Sequence, residues 1–168
     1  MGESSFQPNP LKNRTTFERT SDREMVFSRT FDAPRRIVFD AWTKPELFML
    51  WWAPKSMGVP LLSCEIDART GGGYRVAFGH DAAESFAFFG KYLEVTAPER
   101  LVWTNEESAD GAVTTVTFEE RDGKTVLTLH ELYPSKAALD ESAIGMEDGL
   151  AEQFEQLDDV LATLATDA

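Results

Sequence analysis

Cysteine occurs once, at Cys64, and histidine only at His80 and His130, in a chain of 168 residues. A lone cysteine cannot form an internal disulfide, which points to a reducing compartment and a cytoplasmic location. These three side chains do not fall at metal-ligand spacing, so no metal site is expected. No cofactor is expected either. The chain has no G-x-S-x-G elbow, phosphate-cradling loop or G-x-G-x-x-G fingerprint, and the run Gly71-Gly72-Gly73 reads as a turn between strands. Positive charge is scarce. Sixteen Lys and Arg against twenty-nine Asp and Glu leave a net charge of -13, which opposes binding to nucleic acid or to an anionic membrane surface. No apolar run approaches the roughly 18 residues of a membrane span, so membrane insertion is not expected. The first residues lack the apolar stretch of a secretory signal, and Phe6 occupies the position where an N-myristoylation motif needs Ser or Thr.

What the chain does have is enough apolar material for one domain. It is 42% hydrophobic and 11% aromatic, and a chain of this size buries roughly two thirds of the surface its unfolded form exposes. Residues 1–22 are polar and interrupted by Pro8 and Pro10, and read as an N-terminal extension. Residues 23–168 read as the single domain. EMVFSRTF, from Glu24, alternates as a half-buried strand and puts Arg29 on the apolar side, where it must be paired or must snorkel to water. Pro34 suits a first helical turn, with Ile37, Val38, Ala41 and Trp42 following at helical spacing. Thr43-Lys44-Pro45-Glu46 reads as a capping box opening a second short helix that carries Leu47, Phe48, Leu50 and Trp51 and stops before Pro54.

From Val59 to Glu131 the pattern becomes that of an antiparallel sheet: Leu61–Ala68, Tyr74–Phe78, Phe86–Val95, Arg100–Asn105, Val113–Glu120 and Thr125–Glu131. Asp122-Gly123 marks the clearest hairpin, because both residues tolerate the positive φ of a tight turn. After Pro134, Leu150, Phe154, Leu157, Leu161 and Leu164 form one apolar helical stripe. A helix from Ala143 to Ala165 would be about 34 Å long and able to cross the sheet. The predicted class is α+β: a curved antiparallel sheet of about six or seven strands around a long C-terminal helix, with two short helices after the first strand. The space between sheet and helix is the natural place for a ligand.

Several strings carry a resemblance: RTFDAPRRIVFDAWTKPE (Arg29 to Glu46), WWAP (Trp51 to Pro54), DARTGG (Asp67 to Gly72), GKYLEV (Gly90 to Val95), PERLVWT (Pro98 to Thr104) and GMEDG (Gly145 to Gly149). In this order they resemble the helix-grip superfamily of START lipid-transfer domains, the birch-pollen-allergen fold and polyketide cyclases. Within it, the chain is similar to bacterial proteins named after the C-terminal domain of the activator of heat-shock protein 90 ATPase. The similarity spans about residues 22 to 165. It implies the helix-grip fold and a small hydrophobic or lipid-like guest. The alternatives it leaves open are a cyclase, dehydratase or hydrolase acting on an aromatic substrate, and a chaperone contact. Related chains often carry Trp where this one has Leu150, and the smaller side chain would either enlarge a pocket or leave a gap that a neighbour fills. Either a monomer or a homodimer is compatible with the charge.

The expected ligand-binding residues are Phe27, Arg29, Trp51, Trp52, Phe78, Phe88, Trp103, Met146, Leu150 and Phe154. Candidates for an acid or base are His80, Tyr92, Glu94 and Glu131. Alternation around Leu127 and Leu129 puts Glu131 on their side and His130 on the other. Of the Trp51-Trp52 doublet, at least one ring is expected in the core, and the other either packs elsewhere or lines an opening. Gly145 and Gly149, four apart, are expected on one helical face, either close to the sheet or leaving room for a ligand. Asp67 and Arg69 are expected to bridge along one strand face.

Overall fold

The computed structural model describes residues 15–81 and 83–167. Its sheet has eight strands in the order β1-β2-β8-β7-β6-β5-β4-β3, every neighbouring pair antiparallel. They are β1 (Thr15–Arg19), β2 (Glu24–Phe31), β3 (Leu61–Ile66), β4 (Gly73–Asp81), β5 (Glu84–Thr96), β6 (Arg100–Thr104), β7 (Val113–Arg121) and β8 (Lys124–Leu132). The extra strand over the expected six or seven is β1. It lies inside the stretch read as an extension, and pairs along β2 with Phe17 opposite Phe27, their rings 4.9 Å apart. Residues 1–14 of that stretch lie outside the described residues.

The apolar residues of β2, β7 and β8 alternate with period two, so one face of the sheet is dry. Met25, Phe27, Arg29 and Phe31 are buried on β2, and Val116, Phe118, Leu127 and Leu129 are buried beside them. Asp122 (φ 55°) and Gly123 (φ 79°) form the β7–β8 hairpin in the left-handed region, as the Asp-Gly pair predicts.

Between β2 and β3 lie α1 (Arg35–Thr43), α2 (Pro45–Phe48) and a single 3-10 turn at Lys55–Met57. The capping box expected at Thr43 does not form. The cap is Lys44, and the Thr43 hydroxyl donates instead to the Phe39 carbonyl at 3.0 Å. The following chain is tied down by the last helix. Gln156 Nε2 donates to the carbonyls of Trp51 and Ala53, both at 2.9 Å, and Gln156 Oε1 accepts from Lys55 N–H at 2.9 Å.

The C-terminal helical region is two helices, α3 (Lys136–Ala143) and α4 (Met146–Asp167), where one run from Ala143 was expected. Ser135 caps α3 by accepting from the Ala138 N–H, and Gly145 (φ 76°) turns the chain between the two in a conformation that disfavours side chains. At 22 residues α4 is about 33 Å long. Its stripe of Leu150, Phe154, Leu157 and Leu161 is buried, with the Phe154 ring edge-on to Phe31 at 5.5 Å. No helix among the described residues is long and apolar enough to cross a membrane.

Candidate functional site

Sheet, α3, α4 and the segment from Trp52 to Met57 do not close completely on one another. They leave a cavity of about 770 Å³, partly open to solvent. Two walls differ in chemistry. One is aromatic, built by Trp42, Phe48, Trp52, Tyr74, Tyr92 and Trp103. Tyr74, Tyr92 and Trp103 lie 5.9–6.3 Å apart, centroid to centroid, and Trp42 lies 5.9 Å from Trp103. The other is polar, built where β6, β7 and β8 meet α3, with Asn105, Glu107, Asp110, Glu131, Tyr133 and Glu141.

One cross-strand row links the two. Tyr92 pairs with Trp103, Trp103 with Thr114, and Thr114 with Glu131, on four successive strands. Directly opposed residues in a sheet project to the same face, so the register alone carries Glu131 to the cavity side. Glu131 is half-buried. Oε1 accepts from the Tyr133 hydroxyl at 2.6 Å and Oε2 from the Thr114 hydroxyl at 2.9 Å. Thr114 Oγ1 in turn accepts from Asn105 Nδ2 at 2.9 Å, whose other proton goes to the Ala112 carbonyl at 2.7 Å. The Tyr74 hydroxyl donates to the Thr104 carbonyl at 2.7 Å and approaches Asn105 Oδ1 at 3.2 Å.

Burial raises the Glu131 pKa above the ordinary carboxylate value, more than the two donated hydrogen bonds lower it. Burial likewise raises the hydroxyl pKa values of Tyr74, Tyr92 and Tyr133, which stay neutral donors.

The expected residues divide clearly. Trp52, Phe78, Phe88, Trp103, Met146 and Leu150 line the cavity. Phe27, Arg29, Trp51 and Phe154 are buried in the core away from its wall. Trp51 is fully buried with its indole N–H donating to the Ala41 carbonyl at 2.9 Å, while Trp52 lies half-buried on the wall. Arg29 takes the structural role of a paired buried cation, bonded to Asp158 on α4 and to Thr15 Oγ1 at 2.9 Å.

Among the acid and base candidates, Tyr92 and Glu131 line the cavity and His80 and Glu94 do not. His80 is exposed at the end of β4. Glu94 would share the face of Tyr92 by simple alternation. A bulge between Tyr92 and Glu94 breaks that alternation, placing Val95 opposite the buried Leu101 and Glu94 opposite Val102, where it pairs with Arg100 at 3.2 Å. His130 is half-buried and hydrogen-bonds Glu24 at 3.0 Å on the other side of β8 from Glu131. The Asp67–Arg69 bridge is present at 2.9 Å and exposed, but both residues lie in the connection between β3 and β4 and not on a strand face. Gly145 and Gly149 both line the cavity, but Gly145 precedes α4, and a Cβ at Gly149 would meet no atom within 4 Å. Among the described residues, no group of three His, Cys, Asp or Glu could hold a metal ion.

Sequence reasoning passed over Thr114 and Tyr133, which hold Glu131, and Asn105, which holds Thr114. The signal available was the register: once β6, β7 and β8 are aligned, Trp103, Thr114 and Glu131 fall in one row.

A protein of Rhodobacter sphaeroides superposes with a TM-score of 0.82 at 23% identity, covering 89% of this chain and 99% of that one. One from Nitrosomonas europaea superposes with a TM-score of 0.77 at 21% identity, covering 88% and 99%. At such identities these likenesses establish the helix-grip fold. A Staphylococcus epidermidis protein is 30% identical, covering 88% of this chain and 94% of that one, with a TM-score of 0.74. No functionally curated protein matches the chain. The sequence model of the family described as "Activator of Hsp90 ATPase homolog 1-like protein" matches residues 32–162, well over half the chain, and the protein therefore belongs to that family.

Proposed function

We propose that the protein binds a small, largely apolar molecule in the cavity between its curved sheet and α4, inside a reducing cytoplasm. The observation that carries this reading is the 770 Å³ space itself, walled by large aromatic side chains and finished at one end by a hydrogen-bonded polar cluster. That combination, a mostly apolar concavity with a few placed polar groups, is what small-molecule sites share. The domain does not fill the space with its own side chains. Leu150 and Gly149 on α4 leave it open from above, where larger residues would project into it.

Native mass spectrometry of the purified protein tests this directly. A retained or added guest is expected to appear as a stoichiometric mass increment and to raise the melting temperature. No increment and no shift with any apolar guest would remove the reading.

A second reading is supported by Glu131. A half-buried carboxyl with a raised pKa beside the aromatic wall is the kind of group that serves as a general acid or base. In an enzyme of the cyclase, dehydratase or hydrolase type, Glu131→Gln would abolish turnover of a bound aromatic substrate while leaving its binding intact. The family description adds a chaperone contact, for which pull-down with heat-shock protein 90 and an ATPase assay are the measurements.

A further inference from the structure

The polar end of the cavity is one-sided in its hydrogen bonding. Tyr74, Asn105, Thr114 and Tyr133 all direct their donor groups at protein oxygens: Thr104 O, Ala112 O, Thr114 Oγ1 and the two oxygens of Glu131. What these groups leave facing a guest is acceptor capacity. A carboxylate has about four lone-pair sites, and Glu131 uses two of them. Glu107, Asp110 and Glu141 lie around the same end, and no Lys, Arg or His lines the cavity among the described residues. The aromatic wall is also suited to positive charge, since the faces of Trp and Tyr rings attract cations.

Resting on the cavity-binding reading above, we infer that the guest is an amphiphilic amine, with an apolar body among the aromatic rings and an ammonium group donating to the Glu131 carboxylate. Successive strands lie about 4.8 Å apart, so the row from Trp103 through Thr114 to Glu131 separates the rings from the carboxyl by roughly 10 Å. The amine therefore belongs at one end of the guest. An ammonium also resolves the tension at Glu131, whose two donated hydrogen bonds favour the charged form while burial opposes it. A fatty acid or other carboxylate would meet the opposite situation, facing a ring of acids with no cation to pair with. The net charge of -13 adds to this by drawing cations toward the protein.

The test compares three probes of matched shape, phenylbutylamine, phenylbutanol and phenylbutyrate, by calorimetry and by fluorescence of the cavity tryptophans. In the wild type the amine is expected to bind about tenfold or more tighter than the alcohol, with the carboxylate weakest. Glu131→Gln is expected to remove the amine's advantage and leave alcohol binding nearly unchanged. Equal or tighter binding of the carboxylate in the wild type would overturn the inference alone, a comparison that does not depend on any variant folding. Retention of the amine preference in a folded Glu131→Gln protein would overturn it as well. Failure of all three probes, with no guest retained in native mass spectrometry, would instead remove the cavity-binding reading and this inference with it.

Discussion

Asp158 on α4 accepts a hydrogen bond from the guanidinium of Arg29 on β2, a side chain only 1% exposed, across 129 residues of chain. The pair fastens the last helix to the second strand and holds the roof of the cavity in place. Removing Asp158 leaves a buried cation uncompensated, whereas replacing Arg29 with an apolar residue removes the charge itself. Asp158→Ala is therefore expected to cost about 3 kcal/mol in urea unfolding, and Arg29→Met clearly less. The reverse order would show that the pair does not anchor α4.

Glu131 should make stability pH-dependent in a direction opposite to that of the exposed acids. Its folded pKa lies above the ordinary value of 4.5, so the folded state holds the proton longer than the unfolded state. The contribution is fully present below about 4.5 and is lost as pH rises through the folded pKa. Glu24, Asp140 and Glu152 are shifted downward by their hydrogen bonds and act in the opposite sense. Subtracting the urea stability of Glu131→Gln from that of wild type isolates the effect. The difference should fall as pH rises above about 4.5, and a flat difference would contradict the burial of this carboxyl.

Gly149 lies in α4 over open space, with no atom within 4 Å of the position a Cβ would take. Gly149→Ala should stabilise the protein by up to about 1 kcal/mol through helix propensity. Gly149→Phe should leave a folded domain whose cavity is blocked, so that guests no longer raise its melting temperature. Undiminished guest binding in that variant would place the ligand elsewhere.

Cys64 on β3 is half-buried, and burial raises its thiol pKa to about 11. The thiolate fraction at neutral pH is then about a hundredfold below that of a thiol at the ordinary value of 9.0. Alkylation by iodoacetamide should be slower than that of free cysteine by a comparable factor. Reaction at the free-cysteine rate would refute the burial.

Most of the fold can be read from local pattern. The strand Glu24–Phe31 and the hairpin at Asp122-Gly123 follow from period-two alternation and from turn chemistry, both properties of a few neighbouring residues. β1 escapes such a reading because its five residues, TTFER, hold one large apolar side chain, and the strand is formed by pairing with β2. The break at Gly145 likewise escapes a stripe that begins only at Leu150. Within the site, Trp52, Trp103 and Leu150 were legible as apolar residues facing inward. Glu94 was not, because a bulge reverses the side of every residue after it.

Sequence alone determined the order of elements from β2 to β8, the apolar faces and the excess of acid, since each follows from the residues and their spacing. Only the tertiary structure decided that Asn105, Thr114, Glu131 and Tyr133 converge on one end of one cavity, and that Arg29 and Phe154 belong to the core beside it. Convergence depends on the register between strands and on where a helix docks. Those are relations between residues far apart in the chain, fixed by packing that no local pattern encodes.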